Sequence, residues 1–294
     1  MASQHQFGGS WTEEKLNRVR EYLTAYTKIF TRNSRAATLR TIYVDAFAGT
    51  GYRFASSQHT STALPLFTDE DAASLQQGSA AIALESEPPF ASYLFIEQVA
   101  ERVVELERLR QHFPHRAQQI TIIHDNANTF LRQWCREMDW RTHRAVVFLD
   151  PYGMEVEWVT IEAIAQTQAI DLWLLFPLGQ AVNRLLTRHG PPEGPWAQRL
   201  TRIFGTEAWK DAFYHVPTQG TLFDANTTLE KDADFDTIGA FFVQRLETVF
   251  AQVVKKPLPL RNTKNVPIYL LCFAAGNPKG APTAVKIASY ILGR

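Results

Sequence analysis

Residues 41–51 read TIYVDAFAGTG, and this stretch decides the fold. It begins with a short apolar run that predicts a buried β-strand, and the strand ends at an acid, Asp45. The glycines at positions 49 and 51 follow at once. Glycine has no Cβ atom, so a turn built from it lets the backbone approach a ligand closely. Such a strand and turn are typical of the ligand-binding edge of an open α/β sheet.

Further apolar runs, separated by segments with helical periodicity, predict the rest of the sheet. A strand–helix alternation implies right-handed crossovers and a mostly parallel sheet covered on both faces. The later part of the chain returns to the sheet after a region of helices and loops. The predicted strands are YLFIE (93–97), ITIIH (120–124), AVVFLD (145–150), DLWLLF (171–176), a strand near 258–262 and PIYLLCFAAG (267–276).

The sequence divides into a core with two additions. Residues 1–179 predict an α/β core that begins with an amphipathic helix, and residues 256–294 predict strands and a helix that complete it. Residues 180–255 predict a helical insertion that contacts a substrate or partner. Residues 52–77 are polar and aperiodic, which predicts an inserted loop. Of the tryptophans in the insertion, Trp196 and Trp209 are expected in its core.

Composition excludes several classes. The chain has 294 residues, and its 30 basic and 30 acidic side chains balance, which disfavours a strongly basic nucleic-acid coat. A hydrophobic fraction of 45% is that of a folded soluble protein rather than a disordered chain. The 2 cysteines form no zinc-ligand spacing, so we expect no structural metal. Without a long apolar segment or a signal peptide, a cytoplasmic protein that does not enter the membrane is expected.

Basic residues are concentrated toward the end of the chain. Residues 251–294 contain no acid, so they predict a surface that binds the phosphates of a nucleic acid. A solvated face without a partner is the alternative. In the first helix, Lys15 is a candidate for contact with substrate or with a cofactor carboxylate, and a solvated lysine is again the alternative. The candidates in the basic segment are Lys255, Lys256, Arg261, Lys264 and Lys279.

Acids stand at the ends of four consecutive predicted strands: Asp45, Glu97, Asp125 and Asp150. If the ligand is an adenosine that carries an amino acid, Glu97 can accept its ribose hydroxyls and Asp125 its adenine amino group. Asp45 can then face the ammonium group. A row of carboxylates repels itself unless a cationic or donor-rich ligand lies there. The alternatives are a helix-dipole acid at Glu97 and a helix N-cap formed by Asp125 with Asn126.

These motifs resemble those of the class I S-adenosylmethionine-dependent methyltransferases, with DAFAGTG (45–51) as their first motif and DPYG (150–153) as their fourth. The resemblance implies a Rossmann-like fold, a doubly wound, mostly parallel sheet with an antiparallel C-terminal strand, and S-adenosylmethionine (SAM) as cofactor. The chain departs from the pattern in its long insertion after the glycine turn. The implied cofactor-binding residues are Asp45, Phe47, Ala48, Gly49, Gly51, Glu97, Gln98, Asp125 and Asn126.

The sequence Asp150-Pro151-Tyr152-Gly153 is similar to the Asp/Asn-Pro-Pro-aromatic motif of amino-group methyltransferases. That resemblance implies that Asp150 and a backbone carbonyl accept hydrogen bonds from a target NH2 group, while Tyr152 stacks on a flipped base. The aromatic residue comes one position early and the second proline is missing, which is closer to the tRNA guanine-N2 methyltransferases. A turn set by Pro151, with Tyr152 packed on the core, is the alternative.

A narrower resemblance spans nearly the whole chain. The pattern WTEEKLNRVREYL (11–23), VDAFAGTG (44–51), GSAAIAL (78–84), LFIE (94–97), FLDPYG (148–153) and CFAAGNPKG (272–280) is similar to the bacterial three-Cys-motif partner family. This resemblance implies a partner protein with a cysteine motif, of the iron–sulfur type.

The favoured function is therefore methyl transfer to an exocyclic amino nitrogen of a nucleobase in RNA or DNA. A non-catalytic, methyltransferase-like partner subunit of the cysteine-motif protein is the main alternative. A nicotinamide enzyme is disfavoured, because its phosphate-binding turn needs a third glycine that leads into a helix. A magnesium-dependent nuclease that uses the clustered acids has no supporting motif.

Overall fold

The computed structural model describes residues 10–34, 36–49, 78–216 and 229–294. Gly51 and the predicted inserted loop at 52–77 lie outside these residues. The described residues form ten strands: β1 (Arg40–Asp45), β2 (Ser92–Glu97), β3 (Ile120–His124), β4 (His143–Leu149), β5 (Ile170–Phe176), β6 (Tyr214–His215), β7 (Glu230–Lys231), β8 (Gln252–Val253), β9 (Leu258–Arg261) and β10 (Pro267–Ala275). The α-helices are α1 (Ser10–Arg32), α2 (Ser79–Glu85), α3 (Ala100–Glu107), α4 (Leu109–His112), α5 (Ala127–Glu137), α6 (Trp158–Gln166), α7 (Asn183–Leu185), α8 (Gly194–Phe204), α9 (Trp209–Phe213), α10 (Phe235–Glu247) and α11 (Ala281–Leu292). A 3-10 helix spans Pro114–Gln119 and a π-helix spans Leu178–Val182.

The main sheet has the strand order β3-β2-β1-β4-β5-β10-β8, with β9 also paired to β10. Strands β1 to β5 run parallel to one another. Strand β10 is antiparallel to β5, and β8 and β9 are antiparallel to β10. The chain order reverses between β1 and β4, which is the position where open α/β sheets bind ligands. The predicted fold, a doubly wound Rossmann-like methyltransferase fold with an antiparallel C-terminal strand, is confirmed.

Helices cover both faces of the sheet. One face packs against α1, α2, α3 and α11, and Tyr22 and Leu23 of α1 are fully enclosed there. Burial of a large apolar side chain stabilises a fold by about 1.5–3 kcal/mol, so α1 is an integral layer of the core. The other face packs against α5, α6, α8 and α10.

The predicted insertion is part of this second face. Phe204 of α8 and Phe242 of α10 pack against Phe176 at the end of β5, with 3.9 Å between the ring centroids of Phe176 and Phe242. Trp209 is fully buried in the same cluster, as predicted, whereas Trp196 is about half exposed and the prediction for it is wrong. Trp196 lies in the first turn of α8, and the buried residues of that helix are Leu200, Ile203 and Phe204.

No helix within the described residues is long and apolar enough to cross a membrane.

Candidate functional site

The four predicted acids meet at the carboxyl edge of the sheet. Asp45 and Glu97 are the last residues of β1 and β2, while Asp125 and Asp150 directly follow β3 and β4. These four strands are neighbours in the sheet. Their environments differ, because Asp45, Glu97 and Asp150 are buried whereas Asp125 is exposed. Within the described residues, no group of three or more His, Cys, Asp or Glu side chains is arranged to hold a metal ion.

The turn after β1 is tied to the end of β2. Ala48 donates its backbone N–H to the carbonyl of Ile96 over 3.1 Å, and Gly49 donates to the Glu97 carboxylate over 2.9 Å. Gly49 has a φ of 60°, a left-handed conformation that glycine adopts without strain. The turn that contains Phe47, Ala48 and Gly49 is thus held in one conformation against β2, as a backbone cradle for a ligand requires.

Glu97 has more internal partners than the sequence indicates. Its second carboxylate oxygen accepts the backbone N–H of Val99 over 2.8 Å, and the guanidinium of Arg102 lies 3.9 Å from that oxygen. Each carboxylate oxygen has two acceptor positions, so Glu97 retains capacity for hydroxyl donors. Arg102 was not among the predicted site residues. One signal could have identified it: Arg102 is a basic residue in the first turn of the helix that follows a strand ending in an acid.

The end of β3 is organised by Asn126. Its side chain accepts the backbone N–H groups of Asn128 and Thr129 at the start of α5, so Asn126 is the N-cap. The alternative prediction of a helix N-cap at Asp125 with Asn126 is therefore confirmed for Asn126 and wrong for Asp125. The Asp125 carboxylate instead accepts the N–H of Asn126 over 2.6 Å and remains exposed, and Gln98 accepts the Asn126 amide over 3.4 Å. Gln98, Asp125 and Asn126 thus form one polar cluster beside Glu97.

Asp45 is the least satisfied group in the site. It is fully buried, and neither carboxylate oxygen has a hydrogen-bond partner among the described residues. Burial, together with the nearby Asp150 carboxylate, raises the pKa of Asp45 to about 7 against the lowering effects of Ser79, the Phe47 backbone and Lys15. A buried acceptor without a donor costs free energy, so this position favours a ligand that brings a cation or several donors.

Asp150 is paired with Lys15 of α1. The Lys15 ammonium donates to Oδ2 of Asp150, and both side chains are buried. The alternative of a solvated lysine at position 15 is therefore wrong. Oδ1 of Asp150 is buried without a hydrogen-bond partner in the described parts of the chain. Burial raises the pKa of Asp150, and the Lys15 ammonium counteracts that rise.

The turn after Asp150 is fixed from two sides. The carbonyl of Tyr152 accepts the hydroxyl of Tyr269 over 3.2 Å, and Trp11 stacks on the Tyr269 ring with 5.5 Å between centroids. The Arg102 guanidinium lies 5.2 Å from the centre of the half-buried Tyr152 ring. Pro151 is buried in the same turn. The Tyr152 ring thus already carries a planar cation, which shows that its face can accept a stacked group.

The five predicted basic residues of the C-terminal segment are all exposed, but they lie at different places on the surface. Arg261 and Lys264 belong to the β9–β10 hairpin, which lies at the carboxyl edge because Leu270 pairs with the last residue of β5. Lys255 and Lys256 line a groove of about 720 Å³ between β8 and α11. Lys279 follows the end of β10 at the opposite edge, a β-strand length of about 20 Å away, so the structure does not bring it to the site.

A second buried acid lies at that opposite edge. Asp171 of β5 accepts the Tyr22 hydroxyl over 2.7 Å, and burial raises its pKa to about 7. The folded protein therefore keeps a proton on Asp171 that the unfolded chain releases near its ordinary pKa of 3.8. Because the folded state binds more protons in this interval, the free energy of unfolding falls as the pH rises from about 4 to 7.

Replacement of Asp171 by Asn should reduce this pH dependence, because the amide cannot ionise yet can still accept from Tyr22. Between pH 5.5 and 8 the wild type should lose about 2 kcal/mol more stability than Asp171→Asn. Urea denaturation at several pH values measures the difference. An equal pH slope in both proteins would show that Asp171 ionises at its ordinary pKa.

Comparison with known proteins adds little to this geometry. No protein-family model matches the sequence, and no curated protein matches it. Among solved structures, protein LPL1258 from Legionella pneumophila, of the family DUF519, has 11% identity and a TM-score of 0.48, over 97% of this chain and 92% of that one. A spermidine synthase in complex with a transition-state analogue has 10% identity and a TM-score of 0.40, over 91% and 60%. An rRNA methylase from Streptococcus thermophilus has 13% identity and a TM-score of 0.30, over 72% and 93%. Likenesses this distant assign no activity to this chain.

Proposed function

We propose that this protein is a SAM-dependent methyltransferase that acts on an exocyclic amino group of a nucleobase in RNA or DNA. The observation that carries the proposal is the buried carboxylate of Asp45 at the switch point of the sheet, which accepts no hydrogen bond from the residues that the structure describes. An ammonium group such as that of SAM would supply the missing donors there. Membership in the three-Cys-motif partner family remains a prediction.

The residues around Asp45 suit the rest of this cofactor. The turn of Phe47, Ala48 and Gly49 is fixed against β2 and contains a glycine, the residue that allows a ligand to approach the backbone. The remaining acceptor positions of Glu97 suit ribose hydroxyls. The exposed carboxylate of Asp125 suits the adenine amino group. When bound, SAM supplies a methyl group that is already activated on a sulfonium.

Because the methyl is activated, the protein has mainly to position the acceptor. Oδ1 of Asp150 accepts no hydrogen bond from the described part of the chain and can accept one N–H of the target amine, which aims the nitrogen lone pair. Tyr152 offers its ring to the base, with Arg102 as the group that a base would displace. Arg261 and Lys264 lie at the same edge of the sheet and suit phosphate contacts.

Label transfer from methyl-labelled SAM to total RNA or genomic DNA tests the proposal. The label should appear on a base amino group, as identified by mass spectrometry of the nucleosides. We expect Asp150→Ala to lower transfer at least 100-fold, about 2.7 kcal/mol of transition-state stabilisation, with little change in S-adenosylhomocysteine (SAH) affinity. The matched control is Asp139→Ala, an exposed acid before β4 at the far edge. Binding of SAH without label in any nucleic acid would contradict the nucleobase target.

A second candidate function is a non-catalytic partner subunit of a cysteine-motif protein. It is favoured by the internal contacts of the site, because Glu97 is held by two backbone N–H groups and Arg102 covers the ring of Tyr152. If this candidate function is correct, Asp150→Ala should bind the partner as well as the wild type does. Neither the wild type nor the variant should transfer a methyl group. Transfer that depends on Asp150 would exclude it.

A further inference from the structure

The pair formed by Lys15 and Asp150 joins residues that are 135 positions apart in the chain. Lys15 is completely enclosed, and its ammonium lies 5.7 Å from the centre of the Phe148 ring. Asp150 directly follows β4, two residues after Phe148, so the alternation of the strand places both side chains on the same side of the sheet. The Lys15 side chain therefore extends from α1, between the helix and the sheet, to the carboxyl edge.

This ion pair is not needed to attach α1 to the sheet. The helix already buries Tyr22 and Leu23 in the core, and Trp11 stacks on Tyr269. Buried ion pairs contribute little net stability, because desolvation of both charges offsets their attraction. Apolar residues of similar volume often stabilise such a position as well as an ion pair does, so the presence of the pair points to a role in the chemistry of Asp150.

The geometry of the carboxylate defines that role. One oxygen of Asp150 is held by Lys15, and the other is buried with no hydrogen bond to any described residue. An amine donor needs an acceptor oxygen, whereas a protonated carboxyl presents a hydroxyl that can itself donate. A buried carboxyl without a counter-cation tends to be protonated.

We propose that Lys15 is a positioning residue that keeps Asp150 ionised and fixes its carboxylate, so that Oδ1 is the sole acceptor for the substrate amine. This inference rests on the proposed function and assigns a residue of α1 to the substrate-binding site. Lys15 touches neither the methyl group nor its acceptor, and acts through Asp150. The titratable groups that face Asp150 are Lys15 of α1, Tyr43 and Asp45 of β1, Tyr152 of the following turn and Tyr269 of β10.

Carbon-13 NMR of protein labelled at the aspartate carboxyl carbons tests the ionisation directly, without any substrate. The Asp150 resonance is assigned by its loss in Asp150→Asn. In Lys15→Met we expect its titration midpoint to move up by at least two pH units. Lys28→Met, which changes an exposed lysine of the same helix, is the control and should leave the midpoint in place. An unchanged midpoint in Lys15→Met would overturn the proposal.

Rescue tests whether the ionised oxygen serves an acceptor role. Asparagine offers a neutral acceptor oxygen that needs no counter-cation, so Lys15→Met/Asp150→Asn should transfer methyl at least tenfold faster than Lys15→Met. The double variant also contains no buried lone charge, and it is the protein to use if Lys15→Met does not fold. Equal or lower transfer by the double variant would overturn the acceptor role. If the wild type methylates no polynucleotide, the proposed function fails, while the NMR titration still decides the role of Lys15.

Discussion

Replacing Asp45 with asparagine is expected to weaken SAH binding by about 100-fold, because a hydrogen bond to a charged group contributes about 1.5–3 kcal/mol. The wild-type carboxylate is buried at the switch point with both oxygens unpartnered in the described structure. The amide keeps the shape of the side chain but removes the charge that would face the ligand's ammonium. Calorimetric titration at pH 8, where the wild-type carboxylate is ionised, measures the effect.

Asp171→Asn is the matched control for this experiment. Asp171 is also buried, at 9% exposure against 0% for Asp45, and has the same raised pKa of about 7, but it lies at the other edge of the sheet. We expect its affinity for SAH to equal that of the wild type. An Asp45→Asn protein that binds SAH as tightly as the wild type would show that Asp45 does not face the cofactor.

Gly205→Ala is expected to destabilise the protein by about 3 kcal/mol. Gly205 ends α8 with a φ of 67°, and an added Cβ would lie 1.9 Å from Cδ1 of Trp158. The left-handed conformation costs an alanine about 1 kcal/mol, and displacement of a packed core side chain costs about 1–3 kcal/mol more. Trp158 begins α6, the helix that follows the Asp150–Gly153 turn, so the change also disturbs the support of the site.

Gly190→Ala separates the two contributions. Gly190 has a φ of 72°, but an added Cβ there meets no atom within 4 Å. Its replacement should therefore cost only the conformational part, about 1 kcal/mol. Urea denaturation of both variants gives the comparison. Equal losses of stability would mean that Trp158 does not pack against Gly205.

Sequence patterns predicted the sheet well for a physical reason. Fully buried parallel strands are continuous apolar runs, and β1, β2, β4 and β5 carry that signal plainly. Parallel strands have their carboxyl ends at one edge, so Asp45, Glu97 and Asp150 could be grouped from the sequence alone. The same reasoning did not place the basic C-terminal segment correctly. Strand β10 is antiparallel, so Lys279 lies at the opposite edge of the sheet.

The contacts within the site could not be predicted in the same way. Helical periodicity says which face of α1 is buried, but it does not say that Lys15 meets Asp150 or that Tyr22 meets Asp171. Those pairs depend on the position of α1 along the strands, which is set by the packing of the whole layer. The polar segment at 52–77 has no periodicity from which its position could be inferred.

The central claim is that the carboxyl edge between β1 and β4 binds SAM. Calorimetric titration of the purified wild-type protein with SAH tests it most directly, because SAH fills the site without turnover. We expect one site per chain and a dissociation constant in the micromolar range, which corresponds to about 8 kcal/mol of binding free energy. A folded protein that gives no binding signal up to millimolar SAH would contradict the account.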